Sequence, residues 1–330
     1  MKYPRAIFAA MLAVVAAHPA AAEDPPTVES VLGAIVALRA EVPPNARTAD
    51  VLGLRRDGHG VVIDSDGLVL TIGYLILEAE SVHILTRDGA TVAAHVVAYD
   101  HPTGFGLVRA EKPLGVRPMP FAESARAAHG DLVLVAGAGG PHAAIQARIV
   151  SRRPFAGYWE YMLDDAIFTM PPYPVFGGAA LVDSNGRLLG IGSLFVNDAM
   201  GPGEQSPGNM FVPIDLLKPI LADLIADGRS AESQRPWLGM ITREAPDGLF
   251  IARATYDGPA QLAGVLPGSL LLALQGKPIA SQMDFYRRLW AAGPPGVTVR
   301  LTLIDPTGEP RDIDVVTGDR YDWLGFKPGK

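Results

Sequence analysis

A mainly β fold is what this sequence predicts, a barrel or sandwich of short strands with a smaller second unit behind it. Three observations carry that. Gly and Pro are plentiful, 36 and 29 among 330 residues, while charged residues make up only 19%, a balance that favours turn-rich β structure over a helical bundle. Short apolar runs recur, separated by Asp-Gly and similar turn signals. Helical periodicity is confined to a few short stretches. The length favours two domains.

The first 22 residues read as an export signal: Lys2 and Arg5, an apolar run from Ala6 to Ala17, and small residues at Ala20, Ala21 and Ala22 before Glu23. The apolar run is short for a bilayer span, and an uncleaved anchor is the alternative. No later segment is apolar for long enough to cross a membrane. Residues 23–51 form an N-terminal segment with a first strand or helix, because Val28, Val31, Leu32, Ile35 and Val36 fit a helical stripe and Ala34 to Val42 equally fit a strand. From Leu52 a hairpin is expected from Gly60 through Asp66-Gly67 to Thr71, and a second from Val82 through Arg87-Asp88-Gly89 to Val97. Gly106–Ala110, Leu132–Ala136 and Ile145–Ser151 continue the strand series, and Ala179–Val182 with Leu188–Phe195 makes another hairpin. Ile214 to Ala226 reads as one helix stopped by Gly228. Residues 228–235 are polar and small, a linker. In the second unit Trp237–Ile241, Leu249–Ala254, Leu270–Leu274, Val297–Ile304 and Asp312–Val316 read as strands, with helices at Pro259–Gly264 and Met283–Ala292.

Composition excludes several functions. A net charge of −7 without a basic cluster argues against nucleic acid as a partner. The absence of cysteine removes disulfides, thiolate metal sites and cysteine nucleophiles together. His83, His95 and His101 with Asp100 match no metal-ligand spacing, and no metal or cofactor is expected.

The order of motifs resembles the HtrA family of exported trypsin-like proteases with a C-terminal PDZ domain. The carriers are GHGVVIDSDGLVLT (58–71), HVVAYDHPTGFGLVRA (95–110), FGGAALVDSNGRLLGI (176–191) and PGNMFVPIDLLKPIL (207–221), then PWLGM (236–240) and PAQLAGVLPGSLLLALQGKPI (259–279). The resemblance implies a trypsin-like double β-barrel over 52–227, a PDZ domain over 236–320 and a tail over 321–330. It places the catalytic base, orienting carboxylate and nucleophile at Tyr74, Gly104 and Gly177. None of these can do the work of His, Asp or Ser. The oxyanion donors fall on Val175 and Gly177, and a β-branched Val disfavours the positive φ that a glycine adopts there. His101, Ser184 and Ser193 are the candidates for a relocated triad. An inactive, periplasmic relative is therefore expected, with an active endopeptidase and a pure assembly component as alternatives. Its partners would be protein or peptide C-termini, whose carboxylate meets the loop Trp237, Leu238, Gly239 and Met240. Homo-oligomers are also implied. The aromatic stretch PFAGYWEYMLDD (154–165) reads as a loop, either an interbarrel or oligomer contact or a peptide groove. With Pro171-Pro172-Tyr173-Pro174 it is placed to plug the cleft.

Overall fold

The computed structural model describes residues 27–326. The expected export signal and the last four residues of the tail lie outside them. The first six strands, β1 (Ile35–Glu41), β2 (Arg55–Val62), β3 (Leu68–Ile72), β4 (Ser81–Leu85), β5 (Thr91–Tyr99) and β6 (Phe105–Ala110), close into an antiparallel barrel in the order β1-β2-β3-β6-β5-β4. The next six, β7 (Leu132–Ala136), β8 (Ala144–Gly157), β9 (Tyr161–Met170), β10 (Ala180–Val182), β11 (Leu188–Val196) and β12 (Gly208–Pro213), close a second barrel in the order β10-β11-β12-β9-β8-β7. A closed barrel leaves no free sheet edge; one large apolar cluster runs through the first barrel and into the second, and Val135, Ile149, Ile167, Leu181 and Phe211 form a separate cluster in the second barrel. The mainly β class and the double barrel are as expected.

The remaining strands, β13 (Met240–Ala245), β14 (Gly248–Ala254), β15 (Leu270–Leu274), β16 (Lys277–Pro278), β17 (Thr298–Ile304) and β18 (Pro310–Val316), form an open sheet with β13 at one edge. The helix Gln282–Trp290 lies over it and buries Phe285, Tyr286 and Leu289. Its start is capped by Ser281, whose hydroxyl accepts from the Asp284 N–H at 3.1 Å.

Several elements differ from the expectation. The ambiguous N-terminal run is both things in succession, a helix Val28–Gly33 and then β1. The expected helix from Ile214 is interrupted: a 3-10 turn Ile214–Leu216 is followed by a helix only at Leu221–Asp227, because Pro219 has no N–H to donate. The aromatic stretch is not a loop. It is the far end of the long β8–β9 hairpin, turning through Tyr158–Glu160. The polar segment 228–235 is no free tether: Ser230 and Ser233 are buried, and the Ser230 hydroxyl donates to buried Asp100 at 2.5 Å. The tail is anchored too. A helix Arg320–Leu324 packs Tyr321 and Leu324 against Leu77 and Tyr99 of the first barrel.

Candidate functional site

Tyr74, Gly104 and Gly177 meet in the cleft between the barrels. Tyr74 sits in a 3-10 turn, Gly73–Leu75, that follows β3. Buried Arg56 fixes that turn, donating to the Tyr74 carbonyl at 2.9 Å and the Leu77 carbonyl at 2.8 Å. The Tyr74 hydroxyl donates to the Ser193 carbonyl at 2.9 Å, across the cleft. A Cβ on Gly177 would lie 2.8 Å from that hydroxyl oxygen. The phenol therefore occupies the space a side chain at 177 would need. Burial pushes the Tyr74 hydroxyl well above its ordinary value, so it keeps its proton at neutral pH.

The Gly177 loop is held by the Gly177 carbonyl, which accepts from His59 N–H at 2.9 Å. Gly178 allows this approach, since a Cβ there would stand 1.9 Å from the His59 carbonyl oxygen. Val175 is half exposed and is not among the residues with positive φ, so the loop does not take the glycine-type turn at that point. Gly104 bonds to the same turn as Tyr74, its carbonyl accepting from Gly73 N–H at 2.7 Å. The place of its missing side chain faces Tyr161, whose hydroxyl lies 3.2 Å from where a Cβ would be. That hydroxyl donates to the Thr103 carbonyl at 2.8 Å.

The alternative residues do not come together: His101 is engaged elsewhere, and Ser193 meets Tyr74 through its carbonyl. His101 is buried, with Nδ1 on the Tyr99 hydroxyl at 2.8 Å and Nε2 on the Glu160 carbonyl at 3.1 Å. Burial holds it well below the usual histidine range, so it stays neutral. Asp100 accepts from Thr103 N–H and from the hydroxyls of Thr103 and Ser230. Ser184 lies in the Asp183–Arg187 turn. His59 Nδ1 accepts from Ala138 N–H at 3.1 Å. None of these contacts links a serine, a histidine and a carboxylate.

A cavity of about 920 Å³ remains beside this cleft, lined by Tyr74, Phe176 and Ser193 from the barrels, Tyr158 and Trp159 from the hairpin, and Trp237 from the C-terminal unit. Behind it stands the contact that sequence reasoning missed. The hairpin tip enters the C-terminal unit, and the Glu160 carboxylate accepts from Leu238 N–H at 3.0 Å and Met240 N–H at 2.8 Å. Of the four loop residues expected to meet a carboxylate, Trp237 turns its N–H to the Gly318 carbonyl instead. A lone Glu within an aromatic run was the available signal.

Residues 58–191 match the family described as a trypsin-like peptidase domain. The serine protease PepD of Mycobacterium tuberculosis is 26% identical over 324 residues, spanning 91% of this chain and 68% of that protein. A probable periplasmic serine endoprotease, DegP-like, of Pseudomonas putida is 26% identical over 279 residues, spanning 79% of this chain and 55% of that protein. This chain thus matches about two thirds of the first relative and about half of the second. The solved structure of the HtrA-type protease AlgW with a decapeptide superimposes with a TM-score of 0.53 at 20% identity, covering 88% of this chain and 98% of that one. At that identity the likeness concerns the fold. The double barrel therefore has the trypsin-like fold, and residues 58–191 are similar to a trypsin-like peptidase domain.

Proposed function

Starting from a double barrel of trypsin-like fold, we propose that this chain is an HtrA-type protease relative without catalysis, acting by holding other polypeptides. One observation carries the reading: the Tyr74 hydroxyl stands 2.8 Å from where a Gly177 side chain would begin. The nucleophile position has no side chain, and the base position holds a buried phenol bonded to Ser193. Hydrolysis of a peptide bond needs a nucleophile, a base and an orienting group acting together, and Tyr74, Gly104 and Gly177 supply none of them.

In this reading residues 236–320 are a PDZ domain that receives a protein or peptide C-terminus. Support comes from the loop Leu238–Met240, whose backbone N–H groups converge on a carboxylate, and from β13, which offers a sheet edge. The protein acts as a regulator, scaffold or holdase, as a homo-oligomer. The signal-like N-terminus and the periplasmic DegP-like relative support export to the periplasm. The names of the relatives favour a second reading, an active serine endopeptidase. Incubation with unfolded casein and with a serine-directed fluorophosphonate separates the two. No cleavage and no adduct is expected; stoichiometric labelling of any serine overturns the proposal.

A further inference from the structure

The tip of the β8–β9 hairpin lies where an incoming chain end would lie. Glu160 fills the loop with its carboxylate, on Leu238 and Met240, with the Gly239 N–H also facing it. Two residues earlier, the Tyr158 carbonyl accepts from Thr242 N–H of β13 at 3.0 Å. That is a main-chain bond to the free edge of the sheet, as in strand addition. One residue earlier again, the Gly157 carbonyl accepts from the Tyr286 hydroxyl at 2.9 Å and from Gln282 Nε2 at 3.2 Å, both on the helix that forms the other wall. Tyr286 also receives the Glu160 N–H at 3.2 Å. Met162 and Ala156, on either side of the tip, join the apolar core of the C-terminal unit. Edge strand, facing helix and carboxylate loop are thus all occupied by four consecutive residues of the same chain.

This occupant is imperfect in two ways. Glu160 has φ +56°, a left-handed conformation costly for a side-chain-bearing residue. The residue is 1% exposed, and its carboxylate has no direct ion-pair partner among the described residues. An extended chain end delivers a carboxylate to the same N–H groups without the left-handed residue. On that basis, and resting on the PDZ reading above, we propose that the groove between β13 and the helix Gln282–Trp290 is a receptor closed in cis by the tip Gly157–Glu160. A polypeptide with a free C-terminal carboxylate opens it by taking the place of Glu160. Displacing the tip also moves Trp159, which stacks on Tyr161 at 5.4 Å, and Tyr161 is the residue filling the space at Gly104. Occupancy of the groove is thereby coupled to the shape of the cleft between the barrels.

The test uses the full chain with Glu160→Ala and Glu160→Gln, the second retaining one acceptor oxygen should the first disturb folding. Amide exchange over residues 238–242 reports closure. Fluorescence anisotropy of a labelled ten-residue peptide pool, randomised at its last four positions, reports reception, with the C-terminally amidated pool alongside. A competent state that is rarely populated weakens apparent affinity by its population. The Ala variant should therefore exchange at least about tenfold faster at these amides and bind the free-carboxylate pool at least about tenfold tighter. The Gln variant should be intermediate, and the amidated pool should bind neither. If exchange and binding match those of the unaltered chain in both variants, closure in cis is overturned while the PDZ reading stands. If the amides open but the free and amidated pools bind alike, the receptor is overturned while the self-contact stands.

Discussion

Glu160 sets a pH experiment whose sign is fixed by where the carboxyl sits. Burial raises it from its ordinary 4.5 to about 7, opposed by the N–H groups of Met240, Leu238 and Gly239 and by the Arg320 charge. The other groups facing it hold their state across that range. Tyr286 is pushed up to about 12 and remains a neutral phenol, and His101, on the Glu160 carbonyl, stays unprotonated. The folded chain therefore binds a proton between about pH 4.5 and pH 7 that the unfolded chain has released. Stability must fall as pH rises through that window and level off above it. At 1.36 kcal/mol per pKa unit the change amounts to about 3 kcal/mol. The perturbation is Glu160→Gln, which removes the titration and keeps the shape. Urea unfolding of both chains between pH 4.5 and 8 should show the unaltered chain losing about 3 kcal/mol relative to the variant. The ¹³C shift of the Glu160 carboxyl, assigned by its absence from the variant, should titrate near neutrality. A stability difference that is flat, or that grows with pH, would refute the assignment of Glu160 as a desolvated carboxylate.

On the proposed reading, installing a Ser-His-Asp triad should not raise activity, for reasons visible in the cleft. In the triple variant Tyr74→His, Gly104→Asp, Gly177→Ser, residue 104 stays at φ +82° with its Cβ against the Tyr161 hydroxyl, at a cost of about 1–2 kcal/mol. Thermal unfolding should show that loss, and casein turnover should not exceed that of Gly177→Ser alone. Gly239→Val should disturb the carboxylate loop, since Gly239 has φ +74° and a Cβ there meets the Trp237 ring at 3.1 Å. A loss of about 2 kcal/mol or more and faster exchange at Leu238 and Met240 are expected, while amides of β3 and β6 keep their protection. Asp100→Ala should cost about 3 kcal/mol or more by calorimetry, because it strips the acceptor from Thr103 and Ser230 in a buried site.

Strand alternation made most of the barrels legible. Val62 with Val69 and Val82 with Ala94 pair across the turns that their Asp-Gly and Arg-Asp-Gly signals mark. Two strands escaped. β12 is buried at all six positions, so it shows no alternation to read, and β9 begins in an aromatic run with two aspartates that imitates a loop. The linker misled in the opposite sense. Small polar residues usually mark exposed chain, yet Ser230 and Ser233 satisfy buried acceptors. At the site, sequence reading singled out Tyr74, Gly104 and Gly177, and the structure brings the turn of Tyr74 to both glycines. Local sequence could not announce Glu160, because its partners are about eighty positions away.

The helix Arg320–Leu324 has a consequence for how the chain is made. Tyr321 donates its hydroxyl to the Tyr99 carbonyl and accepts from His101 N–H, contacts spanning 222 and 220 positions. The outer face of the first barrel around Leu77 and Tyr99 is therefore finished by residues that emerge more than two hundred positions after Tyr99. Contacts of such sequence separation form slowly. Until they form, that apolar face stays open to other nascent or translocating chains. A product cut short before Tyr321 would retain all twelve strands of both barrels and still present this patch to solvent. Loss of the Arg320–Leu324 helix should thus register as a failure of solubility and yield, well before it registers as a failure to fold.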